Sequence, residues 1–292
     1  MITLASGPLA ATFHPEAGLV CSSLTHEGDE LLGQRGGLDP WRARGKTFGI
    51  PLLYPWANRL SGWGYGDITF PRDTDLVMVE EHNLPIHGLL HGDVVWEVVD
   101  ASSSRLLAAL DFDHPVWLAL YPALHRVEIA AALDDRGLTM TTTVRCTGGI
   151  AVPLSFGWHP YFDLPGVPWS EWSIETGVRA RILLDERGIP TGEVVDEPVP
   201  AGPLAGRAYD HAYADGDDAW CTVSGGGRRI EIRFGDGYTH AQLFADPEKG
   251  LLAFEPMTAP VDALRSGDAL RTVPPGESFR AEFRVSVERT SV

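Results

Sequence analysis

The sequence predicts an all-β protein, a large antiparallel β-sandwich or barrel with very few short helices. Three observations carry that expectation. Apolar residues alternate with polar ones at a period of two, turn-forming residues break the alternating runs at short and regular spacing, and no stretch sustains a helical apolar stripe. Many short strands joined by hairpins close into a sandwich or barrel, because each strand has one apolar face to bury.

Taken in chain order, Val94 to Val99 and Leu106 to Phe112 form a pair around Ser102-Ser103-Ser104. Val127-Glu128-Ile129-Ala130 and Leu138-Thr139-Met140-Thr141 form a second hairpin across Asp134-Asp135-Arg136-Gly137. Trp220-Cys221-Thr222-Val223 joins Arg229 to Phe234 through Ser224-Gly225-Gly226-Gly227, and the glycines supply the positive φ that a tight hairpin turn needs. In that second strand Ile230, Ile232 and Phe234 point inward, as do Ala281, Phe283, Val285 and Val287 in Arg280 to Val287. Helical structure is expected to amount to short turns near Asp246 to Lys249 and Pro260 to Arg265. No linker, repeat or low-complexity run divides the 292 residues, so residues 1–292 are read as one domain.

Composition narrows the function. Acidic residues outnumber basic ones 40 to 23, for a formal charge of −17, a surface that repels phosphate backbones and argues against a nucleic-acid partner. No apolar run approaches the roughly twenty residues of a membrane span, and the first residues lack the basic-then-apolar pattern of a secretory signal. Cys21, Cys146 and Cys221 are odd in number and widely spaced, which suggests reduced thiols and a cytoplasmic protein. His87 and His91 are four apart, but Pro85 and Gly88 disfavour the helix that would bring both to a metal, and none is expected.

What remains is a set of polar groups at strand ends and in loops: Asn58-Arg59, His87, His159, Asp210 and Glu255. His159 precedes Pro160, which holds it in extended or turn backbone, and it is surrounded by Trp158, Tyr161 and Phe162. Glu255 follows the apolar run Leu251-Leu252-Ala253-Phe254, where a carboxylate is either paired or raised in pKa by desolvation. Both conditions suit proton transfer.

These residues stand in motifs whose identity and order resemble the aldose 1-epimerase (galactose mutarotase) family: YPWANRLSGWGYGDITF, IHGLLHGDVVWEVV, SFGWHPYFDLPG, IPTGE, DHAYAD, FEPMTAPVDALRSGD and LRTVPPGESFRAEFRVSV. The resemblance runs from about Gly49 to the C-terminus. It implies the large sandwich of that superfamily and an enzyme that interconverts the α and β anomers of an aldose without a cofactor. Glu255 would then be the base at the anomeric hydroxyl and His159 the acid at the ring oxygen, on opposite sides of the hemiacetal. Arg59, His87 and Asp210, with Asn58 beside Arg59, would bind sugar oxygens. Trp63, Trp96 and Tyr161 would pack on the pyranose.

The best-known galactose mutarotases carry an asparagine where this chain has Asp163. A related group acting on hexose 6-phosphates usually has an arginine where Leu89-Leu90-His91 stands here. The expected substrate is therefore an unphosphorylated aldose, although Arg35, Arg42 or Arg44 could supply a phosphate clamp. Glycoside hydrolysis by Glu255 with Asp210 and non-catalytic sugar binding are the competing readings. A monomer or homodimer with a small sugar as its partner is expected.

Overall fold

The structure, a computed structural model, describes residues 1–290. Two large antiparallel sheets dominate it. The nine-stranded sheet runs, in spatial order, through Gly202–Pro203, Ser173–Thr176, Trp220–Gly225, Arg228–Phe234, Ser278–Arg289, Gly137–Cys146, His125–Leu133, Arg105–Phe112 and Glu97–Ala101. The eight-stranded sheet runs through Pro190–Asp196, Ala180–Leu184, Tyr209–Tyr213, His240–Asp246, Leu251–Met257, Gly157–Trp158 and Leu52–Leu53, with Tyr161–Phe162 also paired to Leu251–Met257. A four-stranded sheet of Ile2–Ser6, Leu9–His14, Val20–His26 and Asp29–Glu30 completes the N-terminal part.

The predicted hairpins form, although the strand expected over Val94 to Val99 runs instead over Glu97–Ala101. Leu133 pairs with Leu138, and Val98 with Ala108. Gly225 pairs with Arg228 across Gly226 and Gly227, whose φ values of 58° and 73° are those of a two-residue hairpin turn. Ala281, Phe283, Val285 and Val287 are all buried. They face the second sheet: Phe283 meets Trp158 with ring centroids 5.8 Å apart, and Phe234 meets Phe254 at 5.0 Å. One continuous apolar cluster joins the two sheets, and burial of aromatic side chains of this size is its main source of stability.

Helix is scarce but exceeds the two turns expected. Ala263–Ser266 is the helical turn predicted after Pro260, whereas Leu38–Arg44 and Pro115–Leu120 were not anticipated. Each is too short to show a periodic stripe. Leu38–Arg44 buries only Trp41, and Pro115–Leu120 is started by Pro115 at its first turn, with Nδ1 of His114 accepting from the Val116 amide. Among the described residues no helix is long and apolar enough to cross a membrane. Cys21, Cys146 and Cys221 are buried free thiols.

Alternation along Leu251–Met257 fixes where chemistry is placed. Phe254 faces the nine-stranded sheet, so Glu255 projects from the opposite face of its strand. The same logic sends Trp158 inward and lets His159 leave on the other side. The outer face of the eight-stranded sheet is where the polar residues gather.

Candidate active site

A cavity of about 200 Å³ opens on that face. Glu255 and His159 form its floor, 3% and 6% exposed, with His159 Nε2 at 3.2 Å from Glu255 Oε1. Strand register brings them together. Gly157 pairs with Met257 and Tyr161 with Ala253, so the chain from 157 to 161 arches over the strand that carries Glu255. The backbone amide of His159 donates to Pro51 and that of Tyr161 to Gly49, which pins the arch from the other side.

Arg59 and His87 form one wall because the segments carrying them pair. His87 N–H donates to Asn58 O, and Arg59 forms a bridge with Ile86. Asn58 and His87 both adopt left-handed backbone, with φ of 57° and 62°. Gly88, at φ 79°, follows. A Cβ there would lie 2.1 Å from Tyr54 O, so only glycine lets this turn close against the strand Leu52–Leu53 and its extension. Asn58 is buried and aims its side chain at Arg59, its Oδ1 accepting from the Arg59 amide at 2.9 Å and from Nη1 at 3.2 Å. It lines the cavity chiefly by holding the arginine.

Asp210 stands two strands from Glu255. Glu255 pairs with Gln242, while Asp210 pairs with Phe244 on the same face. Gln242, almost wholly buried, donates through Nε2 to Asp210 Oδ1. Arg59 lies between Asp210 and Glu80, 3.5 Å from an oxygen of each.

Tyr161 differs from its expected use as a sugar-stacking platform. Its ring is stacked on His159, centroids 4.2 Å apart, and the Arg35 guanidinium lies 4.8 Å from its centroid. Its hydroxyl accepts from Arg35 Nη1 and lies 2.9 Å from Thr47 Oγ1 and 3.0 Å from His159 Nε2. The ring and hydroxyl are thus committed to fixing the histidine. Thr47 and Phe244 line the cavity without having been singled out for it, Arg35 was considered only as a phosphate clamp, and Gln242 supports the site through Asp210. Gln242 alone left a signal, a buried amide in the apolar strand His240–Asp246, like Glu255 in its neighbour.

Trp96 is a correction. It is buried in the core away from the cavity, because its backbone is tied to the N-terminal segment: Trp96 N–H donates to Pro15 and Gly18 N–H to Val94. Trp63 is also outside the cavity, its indole N–H donating to Asn83 O at 2.8 Å and its ring covered by Arg72. His87 and His91 part company. His91 packs edge-on to Trp41 and its Nε2 lies 3.3 Å from Leu76 O, beside Arg42 and Arg44 in a separate cavity. Of the three arginines considered as a phosphate clamp, only Arg35 reaches the site.

The electrostatics follow from burial. Desolvation, reinforced by Asp210 and opposed by Arg59, holds the Glu255 carboxyl well above the usual carboxylate range. Desolvation, with His87 and Arg35 nearby, holds His159 well below the usual imidazole range. His87 is pushed down to about 3 by desolvation and by Arg59 and Arg35, so it is a neutral ring at physiological pH. Its Nδ1 accepts from the Asn58 amide, which places its proton on Nε2 as a donor.

The fold and this constellation define a class. The sequence model of the family described as "Aldose 1-epimerase" matches residues 2–286. The chain belongs to the aldose 1-epimerase family, and the match reaches well before Gly49 into the segment that supplies Arg35 and Thr47. The Escherichia coli protein YihR is 24% identical over 99% of this chain and 93% of its own. A galactose mutarotase-like protein of Clostridium acetobutylicum superimposes with a TM-score of 0.84 at 19% identity, covering 99% of this chain and 95% of that one. A galactose 1-epimerase of Lactobacillus acidophilus does so with a TM-score of 0.76 at 14% identity, covering 99% and 94%. The fold is that of the galactose mutarotase-like proteins.

Proposed function

We propose that the protein interconverts the α and β anomers of an unphosphorylated aldose, with Glu255 and His159 as the proton-transfer pair. The observation that carries this reading is their direct contact at 3.2 Å on the floor of a polar cavity, with opposite pKa displacements. The pair was expected to flank the hemiacetal from opposite sides, and instead the two groups are neighbours. Adjacency suffices, because the anomeric hydroxyl and the ring oxygen are bonded to the same carbon.

The carboxylate of Glu255 takes the proton of the anomeric hydroxyl while imidazolium at His159 protonates the ring oxygen. The C1–ring oxygen bond breaks and the C1 carbonyl forms. Rotation about C1–C2 followed by the reverse transfers closes the other anomer. Proton count is conserved: the open-chain stage leaves a neutral carboxylic acid and a neutral imidazole, the forms that burial favours. Arg59, His87 Nε2–H and Asp210 supply donors and an acceptor for the remaining hydroxyls. Glu255 Oε2 and His159 Nδ1 are buried without a protein partner, which costs about 1–3 kcal/mol each unless a ligand pairs them.

Polarimetry of freshly dissolved α-D-glucose tests the assignment. Glu255→Gln and His159→Asn should each slow enzymatic mutarotation about 10²–10⁴-fold. Both variants should stay folded, because Glu255→Gln removes a carboxyl whose ionisation burial already disfavours. Unchanged rates in either variant would exclude it. Glycoside hydrolysis predicts nitrophenol release from aryl glycosides. The contact of Glu255 with a histidine rather than a second carboxylate speaks for the epimerase.

A hexose 6-phosphate is the second reading, favoured by one observation. Arg35 lines the cavity and hydrogen-bonds Thr47 and Tyr161, with no carboxylate paired to it among the described residues. Faster turnover of glucose 6-phosphate than of glucose, lost in Arg35→Ala, would establish it.

A further inference from the structure

We propose that Asp262 is a positioning residue of the sugar site: it grips the backbone on either side of Leu60 and so fixes Arg59 relative to Glu255. The inference rests on the anomer-interconverting reading above. Asp262 does not line the catalytic cavity, so it acts through Arg59, which does.

The backbone around Arg59 is held along both edges. On one edge the Asn58 carbonyl accepts from the His87 amide at 3.1 Å, and the Leu60 amide donates to Pro85 O at 2.9 Å. The groups of the alternate residues point the other way, and there a single residue meets them. The Asp262 amide donates to Arg59 O at 3.0 Å, and Asp262 Oδ1 accepts from the Ser61 amide at 2.7 Å. A residue of a neighbouring parallel strand would meet those two groups with its N–H and its carbonyl. Here the side-chain carboxylate takes the carbonyl's part. Arg265 extends the grip, with Nε donating to Ser61 Oγ at 3.0 Å and Nη1 donating to Gly64 O.

Asp262 is itself fixed from both sides. It follows Glu255 on one continuous run of chain, and that run is pinned where the Thr258 amide and hydroxyl both donate to Phe156 O, at 2.9 and 3.0 Å. Beyond it, the Asp262 carbonyl accepts from the amides of Arg265 and Ser266, both at 2.9 Å, in the turn Ala263–Ser266. Asp262 is buried, with left-handed backbone at φ 66°. A glycine would adopt that backbone without strain, so what aspartate adds is the oxygen on Ser61. The segment that leaves the catalytic base thus sets the place of the arginine that binds sugar hydroxyls.

Mutarotation of D-glucose by variants of the whole protein, followed by polarimetry over a range of sugar concentrations, tests this. Asp262→Gly keeps the left-handed backbone and loses the acceptor. Its KM should rise about tenfold, the size of one net hydrogen bond, with kcat changed by less than about twofold because Glu255 and His159 keep their contact. Asp262→Asn keeps both an Oδ1 acceptor and tolerance of left-handed backbone, and should bring KM back to within about twofold of wild type. Should the glycine variant not fold, Asp262→Ser, whose oxygen stops one bond short of the Ser61 amide, should raise KM by about threefold or more. A residue that served stability alone would lower kcat with the folded fraction and leave KM where it was. A wild-type KM in the glycine or serine variant, or an asparagine variant no better than either, overturns the positioning role and leaves the epimerase reading intact. A wild-type protein that accelerates no aldose overturns both.

Discussion

On the mechanism proposed above, Glu255 and His159, 3.2 Å apart, work with one exchangeable proton between them, and the pH dependence of turnover follows from where that proton is lost and where a second is gained. The one-proton pair is the working form, because it supplies a carboxylate with imidazolium or, after transfer, their neutral partners. Burial lowers His159, so a second proton enters only well below 6.5. Burial raises Glu255, so the single proton leaves only well above 4.5. His87 and Arg35 on one side, and Asp210 and Arg59 on the other, act on the same two groups. kcat/KM should therefore show a plateau through neutrality, with its acid limb below the pKa of a free imidazole. A single transition near 6.5 would contradict the shared-proton pair. Tyr161→Phe tests the support of the histidine. It removes the hydroxyl that joins His159 to Arg35 and Thr47, and the expected result is a kcat lower by about tenfold with KM little changed. A larger effect on KM than on kcat would return Tyr161 to the role of a sugar contact.

The turn at His87-Gly88 shows how a separate segment sets the geometry beside the acid–base pair, the His87 ring lying 5.5 Å from that of His159. Gly88→Ala combines left-handed backbone with a Cβ 2.1 Å from the Tyr54 carbonyl oxygen, so the turn must move. A loss of about 3 kcal/mol in unfolding free energy is expected, together with loss of sugar affinity as His87 leaves the wall. Denaturant titration and KM would check the two effects separately. The same scale explains what could be read in advance. Strands with one face buried announce themselves by alternation, which is why Arg229 to Phe234 and Arg280 to Val287 were legible to within two residues of the strands Arg228–Phe234 and Ser278–Arg289. Glu255 and His159 were legible because each breaks an apolar or aromatic run. Trp96 was not, since an indole in an apolar run looks the same in a core as beside a cavity, and its tie to Pro15 is a long-range contact. Thr47, and the contact of Arg35 with Tyr161, were hidden for a related reason: this segment reaches the site where Gly49 and Pro51 accept hydrogen bonds from the arch at His159, more than 100 residues along the chain. Leu38–Arg44 and Pro115–Leu120 were too short for a period to register.

At the scale of the whole molecule, the core is built around ionisable rings held neutral, and this sets its tolerance of acid. His125 is 1% exposed, stacked 4.6 Å from Phe112, with Nδ1–H donating to Ala123 O and Nε2 accepting from the Tyr54 hydroxyl. Desolvation pushes it down to about 4, and His240, 7% exposed, likewise to about 4. Both take up protons in the unfolded chain below about 6.5 but in the folded protein only near 4. The unfolded state therefore binds more protons across that window, and stability present above 6.5 is lost as pH falls. Glu255 and His159 do not add to the slope there, since the folded pair holds one proton and the unfolded histidine also holds one. Each of His125 and His240 contributes up to about 1.4 kcal/mol per pH unit. Unfolding free energy measured by denaturant titration should fall steadily between pH 6.5 and 4.5, before most carboxylates titrate. His87, held near 3, takes part in the same way, so replacing His240 by Gln should flatten the slope by up to about a third. A stability that is level from pH 6.5 to 4.5 would show that these rings accept protons inside the folded core.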